Sequence, residues 1–71
     1  MIKLYTRESC IQCVATKSML DKAELDYDVV DLDLNPERVV DLEVLGYKTL
    51  PAVVTDNDSW AGFRPDKLSK L

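Results

Sequence analysis

The sequence predicts a small α/β domain whose elements run β-α-β, then α, then a β-hairpin, then α. Three observations carry this reading. Apolar residues alternate with period two at Ile2 and Leu4 and again at Val30, Leu32 and Leu34, as strands with one buried face require. Between them, Ile11, Val14, Ala15, Met19 and Ala23 fall at helical spacing. Further on, two prolines stand where helices begin, at Asn35-Pro36 and Pro65, with a strand–turn–strand pattern between them. A chain of 71 residues has surface enough to hide one hydrophobic core but not two, so a single domain over residues 1–71 is expected.

Each element has its own local reason. The first strand is Ile2-Lys3-Leu4-Tyr5, with Ile2 and Leu4 on one side. Ser9 precedes the first helix, and Ser9 with Gln12 fits the S-x-x-Q capping box, which would satisfy two free N–H groups at the helix start. The second strand is read over Tyr27–Leu34. Asn35 as N-cap and Pro36 at the first helical position start a second helix, expected to reach Leu45 and stop at Gly46. Leu50-Pro51 opens a strand from Ala52 to Thr55, Asp56-Asn57-Asp58 has turn chemistry, and Ser59 to Ala61 pairs back. Pro65 starts a last helix carrying Leu68 and Leu71. The β-α-β unit implies a right-handed crossover with parallel strands.

Composition and charge narrow the function. The net charge is −4, which argues against a general nucleic-acid binder. Histidine is absent, so His-based triads and a Cys2His2 zinc site within one chain are excluded. Nine of the 13 acidic residues fall in residues 21–43, while residues 1–20 and 44–71 are mildly positive. A charge run of this kind ordinarily means a solvated face; the sharper reading is that the two ends form a positive face suited to an acidic partner. The start of the chain carries charge and has no apolar core of signal-peptide length, and no run is long enough to span a bilayer. A cytosolic location is the expectation, and there a close cysteine pair is more often redox-active or metal-binding than a structural staple.

Cys10-Ile11-Gln12-Cys13 is the most informative stretch. At i, i+3 in a first helical turn the two Cα atoms lie roughly 5–6 Å apart, within disulfide range. Unpaired N–H groups and the positive end of the helix dipole face Cys10 there, and both favour a thiolate. Cys13, one turn deeper, would be the resolving thiol. Three readings stand: a redox dithiol, half of a metal or iron–sulfur site completed by a second chain, and two inert buried cysteines. The position right after a first strand, opening the helix of a β-α-β unit, favours the dithiol. No cation lies between the cysteines, so a reducing couple is expected rather than a strong oxidant. Pro51 reads either as an ordinary trans proline on an edge strand or as a cis proline facing the cysteines, beside which the Leu50 backbone could pair with an extended peptide.

The chain resembles the NrdH-redoxins, small glutaredoxin-shaped proteins with thioredoxin-like behaviour. The matching residues are Leu4-Tyr5-Thr6-Arg7, Cys10-Ile11-Gln12-Cys13 with Ala15-Thr16-Lys17, Gly46-Tyr47, Leu50-Pro51 and Ser59-Trp60-Ala61-Gly62-Phe63-Arg64-Pro65-Asp66. They cover nearly the full length in order. Ile11 and Ala61 depart from the family's usual Val-Gln interior and W-S-G-F-R-P tail motif. The resemblance implies a thioredoxin-like fold of the minimal glutaredoxin type, a four-stranded mixed sheet with three helices and a cis Leu50-Pro51 bond. It implies Cys10 as nucleophile, Cys13 as resolving thiol, and no cofactor or metal. It also implies a monomeric electron donor, reduced by NADPH-dependent thioredoxin reductase and reducing the large subunit of class Ib ribonucleotide reductase. Gln12, Leu50, Pro51, Trp60, Phe63 and Arg64 would form the partner-binding face. For Trp60 a core anchor, and for Arg64 a surface ion pair, are the competing readings. Glutathione-dependent glutaredoxins, the alternative, typically carry a Gly-Gly turn and an acidic residue at the start of the last helix. Phe63 and Arg64 stand there instead, so poor glutathione binding is expected.

Overall fold

A period-two pattern asks for cover on one face of the sheet, and here both faces are covered. The computed structural model describes all 71 residues. Strand β1 (Lys3–Thr6) leads to helix α1 (Ile11–Lys22), strand β2 (Asp28–Asp31), a 3-10 turn over Pro36–Arg38, helix α2 (Val39–Leu45), strand β3 (Ala52–Val54), strand β4 (Ser59–Ala61) and helix α3 (Pro65–Leu68). The sheet order is β2-β1-β3-β4. β1 and β2 are parallel, whereas β1–β3 and β3–β4 are antiparallel, so the sheet is mixed as expected.

Alternation along β1 divides the core. Leu4 points to one face, where it meets Leu20 of α1, Val53, Trp60 and Leu68 of α3, with Ile2, Met19 and Phe63 packed around them. Tyr5 points to the other face, with Val30, Leu32, Ala52 and Leu42 of α2. Helices α1 and α3 therefore cover one side of the sheet and α2 the other. The Tyr5 hydroxyl donates to Asp41 at 2.8 Å, and Arg38 donates to the same carboxylate oxygen at 2.8 Å. Burial, then the Asp41 carboxylate, raises the Tyr5 phenol above its usual range, while the Tyr5 and Arg38 donors hold Asp41 below its own.

Several local expectations are corrected. Helix α1 buries Cys13, Thr16 and Leu20, whereas Ile11 and Val14 are 87% and 68% exposed. The inner stripe is thus i, i+3, i+7 from Cys13. It includes a threonine whose hydroxyl donates to the Gln12 carbonyl at 2.9 Å, which lets a polar side chain be buried at little cost. Ser9 does not cap the helix: its φ is +63° and the N-cap is Cys10, so the capping box is not formed. Strand β2 ends at Asp31, because that carboxylate accepts the Asp33 N–H at 2.8 Å and bends the chain. Val30 and Leu32 are buried, but Leu34, past the bend, is 79% exposed.

Asn35 makes no side-chain cap; its amide donates to the Asp31 carbonyl, and Pro36 opens a 3-10 turn rather than an α-helical one. Gly46 ends α2 in the left-handed region at φ +79°, as expected of a C′ glycine. The last helix stops at Leu68, leaving Leu71 outside it.

Candidate redox site

The register brings four loops to one edge of the sheet. β1 and β2 both end there, at Thr6 and Asp31, which are paired. β3 runs the other way and begins there, Ala52 lying opposite Tyr5, while β4 ends there with Ala61 opposite Ala52. The segment leading to Cys10, the Leu50-Pro51 step and the Gly62–Arg64 stretch therefore meet on one side. Gly62 N–H donates to the Pro51 carbonyl at 2.7 Å, joining two of them.

Cys10 and Cys13 form a disulfide with a Cα separation of 5.2 Å, inside the span expected from helical spacing. Cys10 has extended dihedrals, φ −109° and ψ 102°, as an N-cap does. Its Sγ occupies the place of the usual capping oxygen and accepts the Cys13 N–H at 3.1 Å. Cys10 is half-buried, while Cys13 is 3% exposed on the inner stripe of α1. An incoming sulfur can therefore approach Cys10 but not Cys13. A cavity of about 590 Å³ opens beside the pair, with Ile11 and Val14 supplying its apolar surface and Arg7, Glu8 and Lys17 its charges.

On the other flank, the Leu50–Pro51 bond is cis. Pro51 is buried and Leu50 half-buried. The N–H and C=O of Leu50 take no part in the hydrogen bonds of the fold. The loop before it is held by the Tyr47 hydroxyl, 2.7 Å from Ser59 Oγ on β4.

The remaining residues expected on this face divide. Gln12 is exposed on the first turn of α1, and Phe63 is half-buried after β4. Trp60 is 4% exposed and belongs to the core, with Lys67 Nζ 5.5 Å from its ring centre. Of the two readings of Trp60, its burial with Leu4, Leu20, Val53 and Leu68 fits the core anchor. Arg64 forms the surface ion pair: it grips Asp66 with two bonds, of 3.1 and 2.9 Å. That grip holds the Asp66 carboxyl below its usual range.

Asp33 escaped the sequence reading. Its carboxylate accepts the Glu8 N–H at 2.7 Å and lies 3.6 Å from Arg7 Nε. A single acidic residue in an acidic stretch gives no sign that it reaches across to the cysteine loop.

Comparison with known proteins agrees with this geometry. Residues 2–60 match the glutaredoxin family model. The chain is 39% identical over 70 residues to the glutaredoxin-like protein NrdH of Escherichia coli strain K12, covering 99% of this chain and 86% of the relative. It is 32% identical over 71 residues to the protein of the same name from Lactococcus lactis, covering 100% and 99%. The solved structure of the Escherichia coli NrdH-redoxin superposes with a TM-score of 0.92 at 38% identity, covering 99% of this chain and 92% of that one. The fold is thus shared over nearly the whole chain, and the chain belongs to the glutaredoxin family, among its NrdH-type thiol–disulfide oxidoreductases.

Proposed function

We propose that the protein is a dithiol electron carrier: it takes two electrons from NADPH through thioredoxin reductase and passes them to a disulfide of class Ib ribonucleotide reductase, in the cytosol. The observation that carries this is the contrast between the cysteines. Cys10 is approachable and held under an N–H donor, and Cys13 is enclosed one turn along.

In the reduced protein the Cys10 thiolate attacks one sulfur of the target disulfide. A mixed disulfide forms and the other target sulfur leaves as a thiolate, taking up a proton. Cys13 then loses its proton and attacks Cys10 Sγ. The Cys10–Cys13 bond closes, the second target thiol is released, and two electrons have moved. Leu50, with its backbone groups unpaired, supports the reading that an extended segment of the target aligns beside the cysteines. The Arg64–Asp66 pair at the start of α3 supports a site that does not hold glutathione's charged end.

The test is NADPH oxidation with thioredoxin reductase, this protein and a disulfide target. Turnover is expected with wild type and none with Cys10→Ser, while Cys13→Ser should accumulate a covalent mixed disulfide. Turnover with glutathione and glutathione reductase, but none with thioredoxin reductase, would replace this reading with a glutathione-coupled one.

A further inference from the structure

The dipeptide between the cysteines supplies no cation, yet Arg7 and Lys17 line the same cavity as Cys10. A free cation in that cavity would stabilise the thiolate and make the couple more oxidising. Arg7 is not free. Asp33 Oδ1 stands 3.6 Å from its Nε, and the other oxygen of the same carboxylate accepts the Glu8 N–H. Glu8 N–H to Asp33 is also the one hydrogen bond from residues 7–9 to the rest of the fold. Asp33 is itself aimed by the bend at Asp31, whose carboxylate takes the Asp33 and Leu34 N–H groups at 2.8 and 3.4 Å. A chain of contacts thus runs from the end of β2 through Asp33 and Glu8 to Ser9, in its left-handed conformation, and on to Cys10.

We propose that Asp33 is a positioning residue for the dithiol: it ties down the loop that presents Cys10 and offsets the charge of Arg7, keeping the thiolate less stabilised and the couple reducing. The inference rests on Cys10 being the attacking thiolate. The charged groups in play are Arg7, Glu8 and Lys17 around the cavity and Asp31 and Asp33 from the end of β2. Lys48 and Arg64 lie on segments that lead to the same edge.

Asp33→Asn and Asp33→Ala separate the two roles, because an amide oxygen still accepts the Glu8 N–H whereas alanine removes both charge and tether. The first measurement is the thiolate absorbance of Cys13→Ser protein against pH, with iodoacetamide mapping to confirm that Cys10 is the titrating thiol. The second is the redox equilibrium of the two-cysteine protein with a reference dithiol. In Cys13→Ser/Asp33→Asn the Cys10 acid dissociation constant should rise roughly threefold, since an exposed charge acts through water. The redox equilibrium of Asp33→Asn should move toward the reduced form by the same factor, about 14 mV at ~30 mV per decade. Adding Arg7→Gln should cancel the shift, and 1 M salt should shrink it. Asp33→Ala should show that shift together with a lower rate of target reduction.

Mapping that shows Cys10 to be no more reactive than an unfolded thiol would fail the functional reading itself. With Cys10 reactive, an unchanged midpoint and equilibrium in Asp33→Asn, or a shift that survives Arg7→Gln, overturns the role assigned to Asp33.

Discussion

Trp60→Phe decides between two roles for a side chain that sequence alone leaves ambiguous. The indole is 4% exposed, packed with Leu4, Leu20, Val53 and Leu68, and its Nε1 is buried with no protein acceptor within reach. Exchange for phenyl takes roughly 45 Å² of ring surface out of the core, a loss of about 1 kcal/mol at ~25 cal/mol per Å². The void left behind adds a similar amount, about 1 kcal/mol, where the walls do not relax. Against this, removing a buried donor with no partner recovers about 1–3 kcal/mol of desolvation. Lys67 keeps an aromatic face beneath it, weaker for phenyl by about 0.5 kcal/mol. The terms nearly cancel, so Trp60→Phe should change unfolding stability by under about 1.5 kcal/mol, whereas Trp60→Ala should cost about 3–5 kcal/mol. Urea unfolding followed by circular dichroism measures both, since the variants lack the only tryptophan. Trp60→Phe should also keep the wild-type kcat/KM for target reduction, because the ring lies in the core. A loss above about 3 kcal/mol would mean that Nε1 makes a favourable bond in solution. Unchanged stability with a tenfold fall in kcat/KM would mean that the indole meets the partner after all.

Other outcomes follow from the same structure. Ile11→Ser with Val14→Ser should alter stability by about 0.5 kcal/mol or less, as exposed positions do; a urea-measured loss above about 2 kcal/mol would return both residues to the core. Gly46→Ala should cost about 1 kcal/mol, purely from the left-handed backbone at φ +79°, since an added Cβ meets nothing within 4 Å; a cost above about 3 kcal/mol would contradict that. At alkaline pH, Tyr5 and Tyr27 both keep their protons longer when folded: burial and then Asp41 raise Tyr5, and burial and then Asp21 push Tyr27 up to about 12. Their contribution is whole below the unfolded phenol value near 10 and is lost as pH climbs toward 12. Tyr5→Phe/Tyr27→Phe should therefore flatten the fall in urea midpoint between about pH 10 and 12, and an unaltered slope would refute the linkage.

What could be read from the chain and what could not have separate physical causes. Gly46, the hairpin around Asp56-Asn57-Asp58 and the cysteine spacing were legible because each is fixed by backbone geometry within a few residues. The buried face of α1 was not. The sheet selects it, and the selected stripe contains Thr16, polar in sequence but satisfied by its own helix, while the apolar Ile11 and Val14 are turned outward beside the cysteines. Leu34 continued a strand pattern on paper, but the Asp31 side chain ends the strand first. Asp33 was invisible because its value lies in a partner 25 positions away.

The displaced start of α1 has the largest consequence. With Ser9 as cap, both cysteines would lie within the helix. With Cys10 as cap, sulfur does the work usually given to a serine or aspartate oxygen, and the Cys13 N–H points at the atom that must become an anion. A thiol is a weak acceptor and a thiolate a good one, so the same bond that closes the helix end also favours ionisation. Serine, however, is among the best caps. Cys10→Ser should therefore abolish disulfide exchange while matching the stability of the reduced wild type to within about 0.5 kcal/mol, or exceeding it slightly. Urea midpoints taken on the acid side of the Cys10 titration, located by thiolate absorbance, make the comparison fair. If Cys10→Ser unfolds more readily there by about 1.5 kcal/mol or more, the sulfur is not acting as the cap, and the account of why this thiol rather than its neighbour is ionised loses its footing.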